Sequence, residues 1–276
     1  MPSNVSIFEI SIAKAQEALS YWTPERKANA IPITPPDQPK IDHTNNLITI
    51  GVPFEPNISE LPYLCAGKLF FKQHHDDGRT TDYSGSAQFV GHCNIILTAA
   101  HCVRNSESGD YYTDFVFSRA HTKDSPGQDF SLLRVGTHDE FVGSSGNKRR
   151  SLDYAFGFTD QSFDHWLGLQ VGNPYNEFQS IGYPENYGDN ETLFAVNGSK
   201  GTVTENVVEM VGNPFKHGDS GGAWIVKINK DGGFGNNVVV GLNGGSDDSS
   251  NKYSPLFTNY ETFDLFNRIQ DGARCP

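Results

Sequence analysis

No stretch of the 276-residue chain approaches the roughly 18 consecutive apolar residues of a membrane-spanning helix, so no membrane partner is expected. Basic residues are scarce: 21 Lys and Arg against 33 Asp and Glu give a formal net charge of −12. The few basic clusters, such as Lys148-Arg149-Arg150, are too short to track a phosphate backbone, which sets nucleic acid aside. The opening MPSNVSIFEISIAKAQEAL has neither a basic n-region nor an apolar h-region and does not read as an export signal. Cysteine is sparse as well. Residues 65, 93, 102 and 275 allow three full pairings, among which sequence does not choose. Together with N-glycosylation triplets at Asn4, Asn57, Asn190 and Asn197, they permit an oxidising compartment without fixing one. No repeat recurs at a fixed period, which argues against solenoids and propellers.

What is present is glycine (28), proline (15) and 12% aromatic residues, a balance that favours short strands and tight turns. The expected class is all-β, and the length suffices for one large domain or two small lobes. Residues 1–50 read differently from the rest. Ile12 to Ser20 is helical in pattern, and Thr23-Pro24-Glu25 has a capping Thr, a first-position Pro and an acidic first turn. The following IPITPPDQPK is extended and unsuited to a sheet interior. This stretch is expected to be a pro-segment or strap, with residues 51–276 forming the main domain in two lobes that meet near 140–150. From Leu64 onward come AGKLFF, GSAQFV, NIILTAA, DFVFS, FSLLRV, YAFGF, FQSIGYP, GTVTENVVEMV, GAWIVKI and NVVVGLNGG, strand after strand with no helix between them. In ETFDLFNRIQDG, Phe263, Phe266 and Ile269 fall three apart ahead of Gly272, predicting one closing amphipathic helix.

Chemistry concentrates in three places. In His217-Gly218-Asp219-Ser220-Gly221-Gly222, glycines on both sides of a serine allow a tight turn that exposes its hydroxyl and aims backbone N–H groups at a developing oxyanion. A serine hydroxyl needs a base within hydrogen-bond reach, and His101, closing the apolar strand ILTAA, is the candidate. The imidazole in turn needs a carboxylate to fix its tautomer. Asp153 opens the apolar run DYAF and is preferred; Asp160 and Asp164, in a polar loop, are the competing choices. His74-His75-Asp76-Asp77 and Ser246-Asp247-Asp248-Ser249-Ser250 contain metal-ligand chemistry but read as surface turns, so neither a metal nor another cofactor is expected.

GSAQFV, ILTAAHCV, DYAF, IGYP and GDSGGAW, taken in order across residues 64–270, resemble the trypsin-like (chymotrypsin-fold) serine peptidases, and WTPER resembles the pro-regions of some secreted microbial members. The resemblance implies two six-stranded antiparallel β-barrels with the site in the cleft between them. It also implies a monomeric, secreted endopeptidase acting on proteins or peptides, with Ser220 as nucleophile, His101 as general acid and base, and Asp153 as orienter. Gly218 and Ser220 would supply the oxyanion hole, and Gly244, Gly245 and Ser246 the edge that pairs with substrate. Three departures stand out. The family's cysteine partner for Cys102 is replaced within Ser84-Gly85-Ser86, which leaves Cys65 to Cys275 as a guessed bridge. Pro214 occupies the place where a trypsin has its Asp, so Arg/Lys specificity is not expected, and Phe215 and His217 would offer a rim for an apolar or acidic side chain. LNGGS stands where the family often has Ser-Trp-Gly.

Two other functions fit the same residues: a catalytically silent homologue that binds a partner, and an esterase. The resemblance also gives Asp219 an activation role, pairing with a new amino terminus formed near Leu47-Ile48-Thr49-Ile50-Gly51. The full chain would then be a zymogen, the alternative being a permanent strap with Asp219 satisfied from within.

Overall fold

The computed structural model describes residues 4–36, 49–246, 250–272 and 275. The N-terminal segment supplies β1 (Val5–Glu9), α1 (Ile12–Tyr21), α2 (Pro24–Asn29) and β2 (Ile31–Pro32). The first lobe is built from β3 (Ala66–His74), β4 (Thr80–Phe89), β5 (Ile95–Thr98), β6 (Thr113–Arg119) and β7 (Gln128–His138), then α3 (Gly146–Ser151) and β8 (Ala155–Thr159). The second contains β9 (Gly168–Leu169), β10 (Glu177–Gly182), β11 (Phe194–Thr204), β12 (Val207–Val211) and β13 (Ala223–Val226). It continues with β14 (Val238–Leu242), β15 (Gly245–Ser246) and β16 (Asn251–Pro255), and α4 (Asn259–Gln270) follows.

The first sheet runs β7-β6-β3-β4-β5-β8 and closes where β8 pairs back to β7, a six-stranded barrel. β1 adds to it outside β7, with Val5 opposite His138, and β2 lies parallel to β4. The second sheet runs β15-β16-β12-β11-β10-β13-β14-β9. Among the described residues, no helix is long and apolar enough to cross a membrane.

Local sequence explains most of this. Strand side chains alternate between faces. In β3, Leu69 and Phe71 enter the barrel core while Phe70 faces outward, and in β6 Phe115 and Phe117 enter while Val116 faces outward. Those outward residues are covered by Ala18, Trp22 and Ala30 of the N-terminal segment. Burying a side chain as large as Trp22 stabilises by about 2–3 kcal/mol, and its indole N–H donates to the Asp114 carbonyl at 2.5 Å. Charged contacts fasten the same face: Lys27 Nζ lies 2.6 Å from Asp129, and Arg26 3.1 Å from Asp82.

Several expectations need correction. The opening residues form a strand, β1, where no element was anticipated. Two residues of the proline-rich run pair with the middle of β4 as an edge strand, outside the sheet interior, with the Ile33 N–H donating to the Ser84 carbonyl at 2.9 Å. A short helix, α3, interrupts the run of strands between β7 and β8, within the first lobe. GTVTENVVEMV is two strands, because Glu205 and Asn206 take positive φ (50° and 61°) and turn the chain into a hairpin. The bridge is Cys93 to Cys275. α4 lies against the β4–β5 turn, where Phe266 packs so near Gly91 that a Cβ there would meet its ring at 2.8 Å, on the same turn that carries Cys93. Cys65 and Cys102 are free and buried. Asn190 is also buried, 6% exposed, and offers no acceptor for a glycan.

Candidate active site

His101 lies in a single 3-10 turn, Ala100–Cys102, that follows β5, and Asp153 lies just past α3 on the approach to β8. β5 and β8 pair directly, so the two ends arrive side by side. Both residues are 3% exposed. Asp153 grips the histidine twice: Oδ2 is 2.8 Å from Nδ1, and Oδ1 accepts the His101 backbone N–H at 2.9 Å. This fixes the ring, places its proton on Nδ1, and leaves Nε2 buried with no hydrogen-bond partner among the described residues. Burial alone favours the neutral ring, but the Asp153 carboxylate, with Cys102 adding to it, outweighs that effect and raises the imidazole pKa above its ordinary value. The two competing carboxylates play other parts. Asp160 accepts the Ser131 N–H at 3.0 Å, and Asp164 sits exposed in the loop after β8.

The serine segment is held by its carbonyls. His217 O accepts from Glu185 N (2.8 Å), Gly218 O from Ser86 Oγ (2.9 Å), and Asp219 O from Gly222 N (2.9 Å). Ser220 O accepts from Ser86 N (2.7 Å) and Gly221 O from the Gln88 amide (3.1 Å). A trans peptide carries its N–H opposite its C=O, so anchoring the His217 and Asp219 carbonyls orients the N–H groups of Gly218 and Ser220. Gly218 has φ +93°, and a Cβ there would collide with the Asn190 amide and the Tyr183 carbonyl, so only glycine fits. Ser86 belongs to β4, which hydrogen-bonds β5, and the segment is thereby anchored one strand from His101. Gly85, in the same stretch, faces Cys102, whose Sγ would lie 2.8 Å from a Cβ at that position.

The sequence matches no protein-family model, and no curated protein matches it. Solved structures do match. A thermostable serine protease AL20 from an extremophilic microorganism superposes with a TM-score of 0.62 at 19% identity, covering 75% of this chain and 97% of that one. Protease Anisep from Arthrobacter nicotinovorans gives 0.60 at 19% identity, with 80% and 99% covered. A Glu endopeptidase in complex with MPD gives 0.63 at 16%, with 80% and 97% covered. The chain has the chymotrypsin fold.

Within the chymotrypsin fold, the remaining candidate residues can be placed. Gly244 N donates to the Tyr253 carbonyl at 2.9 Å, and β15, formed by Gly245 and Ser246, is the end strand of its sheet. Phe215 is buried against Tyr187, with ring centroids 6.1 Å apart, and is not displayed at a rim; Pro214 and His217 are half-buried. Asp247 and Asp248 lie outside the described residues, as do Leu47 and Ile48. Thr49 to Gly51 sit against the second sheet, with Gly51 N donating to Gly212 O at 2.7 Å. Asp219 is buried, and both its oxygens lie 2.9–3.0 Å from Lys252 Nζ. Burial pushes its carboxyl pKa up while the Lys252 ammonium opposes the rise. Of the two readings of Asp219, the geometry agrees with the one in which the carboxylate is satisfied from within: β16 supplies the cation.

Sequence reading missed Lys252, Ser86, Gln88 and Asn243. Asn243 uses all its bonding capacity: Oδ1 accepts from Ser180 and from the Trp224 indole, both at 2.8 Å, and Nδ2 donates to the Ile181 and Asp219 carbonyls. A polar residue between the apolar strand VVVGL and two glycines was the available signal. The N-terminal segment also reaches the histidine. Ile31 to Thr34 and Pro36 line a cavity of about 370 Å³ together with His101, Tyr83 and Tyr112.

Proposed function

We propose that this chain is a serine endopeptidase. Ser220 Oγ attacks the scissile carbonyl carbon while His101 Nε2 takes its proton. The tetrahedral oxyanion is received by the N–H groups of Gly218 and Ser220. Collapse expels the amine, which takes the proton back from His101, and leaves an acyl-enzyme. Water, deprotonated by the same nitrogen, releases the acid and regenerates the hydroxyl. Asp153 holds the ring with its proton on Nδ1 and stabilises the imidazolium. No cofactor enters these steps.

The observation that carries this reading is a buried imidazole tied on one nitrogen to Asp153 and, among the described residues, unpartnered on the other, one strand from a serine turn pinned through its carbonyls. Pro214 places no carboxylate where a bound cation would need one, so the preferred side chain before the cut is apolar or acidic. A Cys93–Cys275 bridge suits an oxidising, extracellular setting. The test is a fluorophosphonate probe followed by peptide-library profiling. Covalent labelling at Ser220 and cleavage that disappears in Ser220→Ala are expected. Failure to label, or undiminished cleavage by Ser220→Ala, overturns the assignment.

A further inference from the structure

The fold buries an ammonium beside the serine turn. Lys252 is 3% exposed and Asp219 2%, and the lysine's single charge faces both oxygens of the carboxylate. Neither charge is tolerable alone in such surroundings. The strand that carries Lys252 also registers the edge segment: Lys252 pairs with Ser246, Tyr253 pairs with Gly245, and the Tyr253 carbonyl accepts the Gly244 N–H. Two adjacent residues of β16 therefore hold the turn that contains Gly218 and Ser220 and the strand laid out for a substrate backbone. Meanwhile Thr49 to Phe54 are engaged on the second sheet, Gly51 on Gly212 and Phe54 in a bridge with Ala195.

We propose that Lys252 is a positioning residue: from inside the second sheet it provides the cation that orders the Gly218–Ser220 turn, so that the uncut chain is competent and needs no new amino terminus. This rests on the serine-peptidase reading for its activity readout, but not for its structural one. Burial drives Asp219 toward its neutral form, and Lys252 is the chief group acting against that drive, which is the behaviour expected of the residue that keeps the turn charged and closed.

The experiment uses the full-length protein, its intact Met1 verified by mass spectrometry. Fluorophosphonate labelling rate and amide hydrogen exchange across 217–222 are measured in wild type, Lys252→Arg, Lys252→Ala and the charge-deleted pair Lys252→Met with Asp219→Asn. Uncut wild type should label. Lys252→Ala should lose about 10²–10³ in labelling rate, the cost of disabling oxyanion donors, and its turn should exchange faster. Lys252→Arg should stay within about tenfold. Ethylammonium, but not ethanol, should restore Lys252→Ala saturably, a response that a merely structural defect would not give. The charge-deleted pair should fold, since it buries no lone charge, yet label slowly. Labelling by Lys252→Ala or by the charge-deleted pair at the wild-type rate with an equally protected turn overturns the proposal. So does a wild-type chain that labels only after cleavage near residue 48, which leaves the peptidase reading intact. A wild-type turn protected by Lys252 in a protein inert to the probe both before and after cleavage overturns the peptidase reading and supports the positioning role.

Discussion

Replacing Asp153 by Asn changes one atom and should remove most of the activity, for a reason visible in the hydrogen bonds. Asp153 Oδ1 accepts the His101 backbone N–H at 2.9 Å, and Oδ2 faces Nδ1 at 2.8 Å. A backbone N–H can only donate, so the asparagine oxygen must take the Oδ1 position. Its NH₂ then faces Nδ1, which is forced to act as an acceptor. The ring proton moves to Nε2, the nitrogen that has to receive the serine proton. A base in the wrong tautomer costs about 10⁴ in kcat, or roughly 5.5 kcal/mol of transition-state stabilisation. Single-turnover acylation by a chromogenic ester would isolate the affected step, and thermal unfolding would verify that the fold survives. KM should change little, because substrate contacts are untouched. A variant that acylates within tenfold of wild type would refute the role given to Asp153. A comparable loss in Asp160→Asn, with Asp153→Asn active, would transfer that role.

Because Asp153 raises the His101 pKa, activity should fall as pH drops through a value above the ordinary imidazole range near 6.5. In the residual activity of Asp153→Asn that acid limb should move to lower pH, since the imidazolium has lost its counter-charge, and an unmoved limb contradicts the pairing. Glu191→Gln leaves Lys68, fully buried, facing a neutral partner and should cost about 3 kcal/mol in urea unfolding. Burial opposes ionisation of Glu191, but His121 and Lys68 outweigh it and hold its pKa low, so the wild-type advantage should be full above the unfolded value near 4.3 and fade as pH falls through the folded one. Equal stabilities at neutral pH would count against this. Cys275→Ser opens a loop spanning 182 positions, worth up to roughly 5 kcal/mol by chain entropy, and should lower the denaturant midpoint without altering kcat. Cleavage after Arg or Lys in a peptide library would contradict the reading of Pro214.

The strand runs and the closing helix were legible because alternation and apolar spacing are local properties, and the three candidate catalytic residues because their chemistry sits in short contiguous motifs. What escaped depended on distant pairing. Lys252 looks like any polar residue after a turn until β12 and β15 place β16 beneath Asp219. The covered outer face of the first barrel did leave a trace. Leu69-Phe70-Phe71 and Phe115-Val116-Phe117 are apolar without alternation, a pattern that calls for cover on both faces and anticipates Trp22 and its neighbours. β1 could not be anticipated from VSIFE alone, since its partner, β7, lies in the far half of the first lobe.

That pairing gives biosynthesis a timetable. Val5 to Glu9 have no strand to join until Arg134 to His138 exist. At about 5–20 residues per second, a ribosome takes roughly 7 to 26 s to deliver them. During that interval a five-residue strand waits with its backbone unpaired. Trp22 has its own partner sooner, when Phe70 emerges. The nascent chain therefore assembles its outer layer from the helices inward to the first strand, and β1 is the piece open to chaperones, or to a neighbouring nascent chain, for longest.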